Sequence, residues 1–276
     1  MTAGPSDARA GPAQDLAATG LAWDLPTAAA AGLGRPLVRV GETESTNDLA
    51  RRLADAGLPE GTTVVAVRQT RGRGRLGRAW ASPEGGLWCS VLLRPPPGVA
   101  WTLLSLATAL AVAEAVEAVG GVRASLRWPN DVLVHGRKVS GILLEATGSA
   151  LVVGVGINAN VRLDALPPEV RAGATSLAVA AGRPVDLEAL RVAFLRRLAV
   201  WYDAWRAAAD VPGAWAARDA LAGRRVVVRT SGEVVEGTGE GVADDGALRV
   251  RLASGEVRRV LAGDLVGLEV RGAHGP

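Results

Sequence analysis

The 276-residue sequence predicts a mixed α/β domain followed by a small antiparallel β-barrel. Three observations lead there. β-branched and apolar runs of strand length alternate with stretches carrying apolar residues at helical spacing, the pattern of a sheet covered by helices. From Leu221 onward the character changes to short strands at even spacing separated by glycine turns, as a small barrel requires. With 49% hydrophobic residues, a chain of this length can bury one large core or two modest ones.

The elements follow in order. Residues 1–36 are rich in Ala, Gly and Pro and have no basic region followed by an apolar core, so they read as a flexible lead rather than a signal peptide. "PLVRVGETESTNDLARRLADAG" reads as a strand ending at Val40, a short loop, and a helix that Ser45 or Thr46 caps and Gly57 stops. Leu49 and Leu53 share one face of that helix. The β-branched run 61–70 is a strand, the glycine-rich stretch 71–80 follows it, and Ser82-Pro83-Glu84-Gly85-Gly86 turns the chain into a second strand, "LWCSVLLRP". A helix is expected over 101–119. The apolar stretch 99–113 that leads into it is too short to cross a bilayer and runs on to Glu114 and Glu117, so it reads as a buried helix. Residues 122–147 hold two or three strands with a tight turn at His135-Gly136-Arg137, and "ALVVGVGINANV" is another strand. The helix 186–206 carries Leu190, Phe194, Leu198, Trp201 and Trp205 on one stripe. In the tail, turns fall at Ser231-Gly232, Asp244-Asp245-Gly246 and Ser254-Gly255. A boundary near Ala220 divides an α/β domain, 37–220, from a barrel, 221–271.

Composition excludes several functions. Cys89 is the one cysteine, so no internal disulfide can form, which fits a reducing cytoplasm. His135 and His274 lie far apart in the sequence and the second is almost at the terminus, which argues against a zinc site or a Ser-His hydrolase. Lys+Arg number 31 against 28 Asp+Glu, a balance that does not by itself call for nucleic acid. One basic residue stands apart: Lys138 is the only lysine, and the other basic positions are all arginine.

The segment "RGRGRLGRAW", residues 71–80, contains Gly72-x-Gly74-x-x-Gly77, which matches a dinucleotide-binding fingerprint on its face. That motif must open a helix directly, so that the pyrophosphate meets the helix N-terminus, and here a loop and a second strand come first. An RNA-binding arginine-glycine segment would be long and repetitive, whereas this one is single and lies between strands.

Five motifs recur in a fixed order: Ser45-Thr46-Asn47; Gln69 with Gly72-Arg73-Gly74-Arg75-x-Gly77-Arg78-x-Trp80; Trp128-Pro129-Asn130-Asp131; Lys138-x-x-Gly141-Ile142-Leu143-x-Glu145; and Gly154-x-Gly156-Ile157-Asn158. Together they resemble the biotin protein ligases over roughly residues 37–270. The resemblance implies a mixed-sheet catalytic domain of the class II aminoacyl-tRNA synthetase type followed by an SH3-like barrel. It implies an activity too: biotin is activated with ATP and Mg2+ as biotinyl-5′-AMP, and the biotinyl group passes to one lysine of a biotin carboxyl carrier domain of an acyl-CoA carboxylase such as acetyl-CoA carboxylase. A lipoate or octanoate ligase or transferase of the same fold is the alternative, against which the arginine-glycine loop and Trp-Pro-Asn-Asp stand.

Residue roles follow from the resemblance and from what the chemistry demands. A carboxylate must approach the α-phosphate, and cations offset the crowded charge. Arg73, Arg75 and Arg78 supply forked donors, and Gly74 lets backbone approach the ligand. Lys138 places a compact ammonium where carboxylate, α-phosphate and acyl oxygen converge. Ser45, Thr46, Asn47 and Gln69 suit the ureido ring, whose two N–H groups and carbonyl need neutral partners. Gly141 and Leu143 wall the ring and valeryl chain. Trp80 packs on adenine, Asn158 meets the nucleotide half, and Asp131, with Asn130 beside it, is the candidate Mg2+ ligand. Two positions depart from the commoner pattern: Leu76 stands where arginine is often found, and Arg127 where lysine is usual. The lead is too short and too Ala/Gly/Pro-rich for a winged-helix DNA-binding domain, so neither nucleic acid nor a membrane is expected as a partner, whereas a homodimer is possible.

Overall fold

The computed structural model describes residues 22–24, 32–96, 101–148 and 150–268. An eight-stranded sheet runs in the order β1 (Ala22–Asp24), β2 (Leu37–Thr43), β3 (Thr63–Gln69), β4 (Leu87–Leu93), β8 (Ala150–Ile157), β7 (Arg137–Thr147), β6 (Asp131–Val134), β5 (Ala124–Arg127). β2 and β3 are parallel and every other neighbouring pair is antiparallel, which makes the sheet mixed. The expected flexible lead departs from this in one place: Ala22–Asp24 pairs with β2 as an edge strand, and 1–21 and 25–31 lie outside the described residues.

All seven side chains of β4 are buried, because both faces of the sheet are covered. Alternation sorts them. Leu87, Cys89, Val91 and Leu93 join the larger core, under the helices α2 (Trp101–Gly120) and α5 (Leu187–Arg206). α2 is long and apolar enough to cross a membrane by composition, but most of it is buried in this core. Asp186 caps α5 by accepting from the N–H groups of Glu188 and Ala189, and Leu190, Phe194, Leu198 and Trp205 are buried along its stripe. Trp201 is only half-buried and donates to Glu114 at 3.2 Å. On the opposite face, Leu92 packs with Val64 and Val152 under α1 (Thr46–Asp55), whose Leu49 and Leu53 face the sheet. Gly57, at φ 83°, ends α1: the N–H of Gly57 bonds Ala54 O and that of Leu58 bonds Leu53 O, each at 3.0 Å, which satisfies the last carbonyls. Ser45 holds the N-cap position, but its side chain makes no cap bond. Short helices at Pro168–Arg171, Leu177–Ala181 and Val211–Ala216 lack an amphipathic stripe long enough to be read from sequence.

A second, five-stranded antiparallel sheet follows: β12 (Val257–Val260), β11 (Leu248–Arg251), β10 (Val234–Val242), β9 (Arg225–Arg229), β13 (Asp264–Leu268). It docks beside β5 and β6. The indole N–H of Trp128 donates to Gly246 O at 3.0 Å, and Leu126 exchanges backbone bonds with Arg218 and Ala220.

Candidate active site

The α1 face of the sheet is also where the five motifs meet. Alternation brings Gly141, Leu143 and Glu145 of β7 to that face. Register sets them against Gly156, Gly154 and Val152 of β8. At three of these positions other side chains lie on the bare backbone, which leaves no room for a side chain at Gly154 and Gly156 and little at Gly141. A Cβ on Gly154 would stand 2.2 Å from Asn47 Oδ1, one on Gly156 2.5 Å from Trp80 Nε1, and one on Gly141 3.2 Å from the Trp80 ring. The result is a cavity of about 350 Å3. Ser45, Thr46, Asn47, Gln69, Arg73, Gly74, Arg75, Arg78, Trp80, Asn130, Lys138, Gly141, Leu143 and Asn158 all line it.

One end of the cavity is a linked polar floor. Gln69 Oε1 accepts from the N–H of Thr46 at 2.7 Å and lies 3.0 Å from its hydroxyl, while Gln69 Nε2 donates to Ser82 Oγ at 2.7 Å. Ser90 Oγ, fully buried beneath, lies 2.7 Å from Thr46 Oγ1 and 2.6 Å from Asn47 Oδ1. The Asn47 amide donates to Glu145 at 2.6 Å. Arg73 is held by two carboxylates: Asp48 takes both terminal nitrogens, at 2.5 and 2.7 Å, and Glu145 lies 3.4 Å away. The hydrogen bond from Arg73 holds the Asp48 carboxyl below its usual range against the opposing effect of burial, and Asp48 in turn raises the guanidinium.

The arginine-glycine segment closes on itself: Gly74 N–H donates to Arg78 O at 2.7 Å and Trp80 N–H to Gly72 O at 2.9 Å. A single 3-10 turn, Arg75–Gly77, forms its tip, with Leu76 at φ 55° and mostly exposed. Its outer arginines reach the barrel, Arg78 pairing with Asp264 at 2.8 Å and Arg75 donating to Gly263 O at 3.3 Å. Burial lowers the Arg75 guanidinium from its ordinary value, and the Asp264 carboxylate opposes that shift.

At the other end Lys138 Nζ stands 2.5 Å from Asp131 Oδ1 and 5.2 Å from the centre of the Trp80 ring. Arg127 binds the second oxygen of Asp131 at 2.7 Å. Asp131 therefore orients two cations, and both of its oxygens are engaged. The expectation that it carries Mg2+ needs only this one carboxylate beside phosphate oxygens and water. Among the described residues no group of three His, Cys, Asp or Glu side chains could hold a metal. Asp131 also lies outside the first cavity and lines a second of about 280 Å3, between β6 and the barrel, that shares Arg75, Arg78, Arg127, Asn130 and Lys138 with it. Asn130 faces Ile142 O, to which its amide donates at 2.7 Å. Trp80 Nε1 and Asn158 Oδ1, on two residues that line the cavity, are buried with no hydrogen-bond partner among the described residues.

Sequence reasoning left several contributors without a role. Arg127 was noted only as a departure, Asp48 follows directly on Ser-Thr-Asn, and Ser90 is hidden in an apolar run. Glu145 closes its motif at a position whose partners, Asn47 and Arg73, lie far off in sequence.

Comparisons with known proteins agree on the family. Residues 40–161 match the Biotin/lipoate A/B protein ligase family, and residues 222–266 the Biotin protein ligase C terminal domain. The biotin--[acetyl-CoA-carboxylase] ligase of Paracoccus denitrificans is 40% identical over 230 residues, 77% of this chain and 93% of that protein. The chain belongs to the biotin protein ligase family. The biotin protein ligase of Aquifex aeolicus, solved in complex with biotin and ATP, superposes with a TM-score of 0.76 at 33% identity, covering 84% of this chain and 98% of that one. A Bifunctional ligase/repressor BirA of Bacillus spizizenii is 41% identical over 161 residues. Against the bifunctional relatives of both Bacillus species the chain spans about half their length. Like other biotin protein ligases, it joins a mixed-sheet domain with flanking helices to a C-terminal antiparallel barrel.

Proposed function

We propose that this chain activates biotin with MgATP as biotinyl-5′-AMP and transfers the biotinyl group to a lysine of a biotin carboxyl carrier domain of an acyl-CoA carboxylase. One observation carries the reading: a single cavity runs from a neutral, acceptor-rich floor at Thr46 and Gln69 to a cationic end at Lys138 and Arg127. A ligand with a neutral ring at one end and an anionic group at the other fits that gradient, and 350 Å3 lies within the range of small-molecule sites. The names of the full-length relatives favour biotin over lipoate.

In the first step a biotin carboxylate oxygen attacks the α-phosphorus, the bond to the bridging oxygen breaks, and pyrophosphate leaves. Lys138, held by Asp131, lies between the carboxylate and the α-phosphate and stabilises charge as it develops on the phosphoryl oxygens. Arg75, Arg78 and Arg127 line the second cavity, where the pyrophosphate end sits. Mg2+ enters with ATP as part of the substrate. In the second step the neutral amine of the acceptor lysine attacks the acyl carbon, AMP leaves, and the amine proton passes to solvent. Ser45, Thr46, Asn47 and Gln69 hold the ureido ring, Gly141 and Leu143 the ring and chain, Arg73 and Gly74 close the loop side, and Trp80, Asn130 and Asn158 meet the nucleotide.

Residues 37–220 act as the catalytic domain and 221–271 as the barrel that closes over its cationic end. The carrier domain is the protein partner, and the setting is cytoplasmic, with no part for nucleic acid or a membrane. Incubating the chain with MgATP, a carrier domain and either labelled biotin or labelled lipoate tests the reading. Transfer of biotin alone is expected; transfer of lipoate, or no ATP-dependent transfer, would overturn it.

A further inference from the structure

Glu145 stands back from both cavities, yet it terminates the chain of hydrogen bonds under the first one. A carboxylate offers no proton, so the Asn47 amide nitrogen, 2.6 Å away, must face it, and Asn47 Oδ1 must face Ser90. A hydroxyl has one proton. Because Asn47 Oδ1 can only accept, the Ser90 proton is committed to it, and in the 2.7 Å contact between Ser90 and Thr46 the Thr46 hydroxyl is the donor. Gln69 Oε1 then keeps only the Thr46 N–H at 2.7 Å. The far end agrees: Gln69 Nε2 donates to Ser82 Oγ, whose own proton is directed at Trp80 O, 3.2 Å away, and this fixes Gln69 with its oxygen toward Thr46.

We propose that Glu145 is a positioning residue that sets the polarity of this relay. The Thr46 and Ser90 hydroxyls both donate toward Glu145, so the cavity-side atoms Thr46 Oγ1 and Gln69 Oε1 are left as acceptors for a ligand that brings N–H donors. The inference rests on the cavity being the biotin site, since the ureido ring is such a ligand. Exchanging Glu145 for Gln keeps its size but lets an amide N–H donate to Asn47. Asn47 can then reverse, and the Ser90 and Thr46 protons can turn toward the cavity, where they oppose the N–H groups of the ligand. Arg73 remains anchored in such a variant, because Asp48 alone binds both of its terminal nitrogens.

The test is a double-mutant cycle on the full chain, with biotin affinity measured by calorimetry for wild type, Glu145→Gln, Ser90→Ala and the double variant. Ser90 is buried out of reach of the ligand and breaks the relay midway. Each single substitution is expected to weaken binding about tenfold, the scale of one charge-assisted hydrogen bond; Glu145→Gln, at a partly exposed position, should keep its melting temperature, whereas Ser90→Ala, which leaves the buried Asn47 Oδ1 without a donor, should lower it. The double variant should be no weaker than the worse single one, because a broken relay has no polarity to lose. Additive losses, a Glu145→Gln affinity within twofold of wild type, or a Glu145→Gln loss that tracks a fall in its own melting temperature would overturn the proposal. A wild-type chain that binds no biotin would overturn the reading of the cavity, and this inference with it, whereas a binding wild type with additive variants overturns this inference alone.

Discussion

Replacing Lys138 by arginine keeps the charge and tests whether shape matters. The tip of Lys138 occupies a slot bounded by the Asp131 carboxylate at 2.5 Å, the Trp80 ring centred 5.2 Å away, and the bare backbone of Gly141. Space there is scarce: even a Cβ on Gly141 would stand 3.3 Å from Lys138 Cε and 3.2 Å from Trp80. A guanidinium, wide and planar, can satisfy Asp131 only by tilting against Trp80 or by projecting further into the cavity, into the space that the proposed reaction gives to the α-phosphate. Either way the single charged donor leaves the point at which the proposed reaction gathers carboxylate, phosphate and acyl oxygen. Loss of one such preorganised donor lowers rates by about 10^2 to 10^3, or roughly 3 to 4 kcal/mol of transition-state stabilisation. The fork can still pair with Asp131, so the melting temperature should stay within about 2 °C of wild type. Two assays separate the steps: biotin-dependent pyrophosphate exchange for adenylate formation, and biotinyl transfer from preformed adenylate to a carrier domain. Both rates are expected to fall. A Lys138→Arg variant that ligates at near wild-type rate would make Lys138 a solvated charge and refute its placement at the catalytic centre.

Three further outcomes are expected. Gly154→Ala puts a methyl group 2.2 Å from Asn47 Oδ1, displaces the amide from both Ser90 and Glu145, and should weaken biotin binding about 100-fold by calorimetry, the worth of two or three hydrogen bonds. Asp131→Asn leaves Arg127 and Lys138 facing each other without their shared carboxylate; breaking such a mostly buried pair costs about 3 kcal/mol, so both the melting temperature and the rate of pyrophosphate exchange should fall. The Asp48 carboxyl titrates below its usual range, chiefly through the hydrogen bond from Arg73, so its contribution to stability is complete above the ordinary carboxylate pKa of about 4 and is lost as pH falls through the lower folded value. Partial exposure of both side chains limits that contribution to about 1 kcal/mol. Melting curves of wild type and Asp48→Asn should therefore differ at pH 6 and converge toward pH 3, and a constant difference across that range would count against the pairing.

What was legible in the sequence follows from how far apart the interacting residues lie. The His135-Gly136 turn, the α5 cap at Asp186 and the stop of α1 at Gly57 are local, and each was written in a few adjacent residues. The glycines of β7 and β8 could be read as close approaches, but not what approaches them, because Asn47 and Trp80 arrive from about 60 to 110 residues away. Charge partners were less legible still. Asp131 shows no charge partner in its own motif; once β6 and β7 pair, the register shift between Val132 and Leu133 brings Lys138 against one oxygen and Arg127 takes the other. Ser45 looked like a cap because Ser before a helix usually is one, and here the residue faces the cavity instead.

The four arginines between Arg71 and Arg78 would repel one another if they were free, and their partners explain why the loop can hold its shape and why the cavity is polarised. Arg73 faces two carboxylates, Asp48 and Glu145, so the ring end of the site carries no excess positive charge. Around the second cavity four cations, Arg75, Arg78, Arg127 and Lys138, share two carboxylates, Asp131 and Asp264. Positive charge is thus left over at the end that the proposed reading gives to the triphosphate and is cancelled at the end that it gives to the neutral ring. One of the two carboxylates at the cationic end belongs to β13, so the barrel supplies part of the charge balance of the site. Moving the barrel away would free Arg78 and Arg75 together, which ties the geometry of the loop to the docking of a domain that reaches only the cationic end of the site.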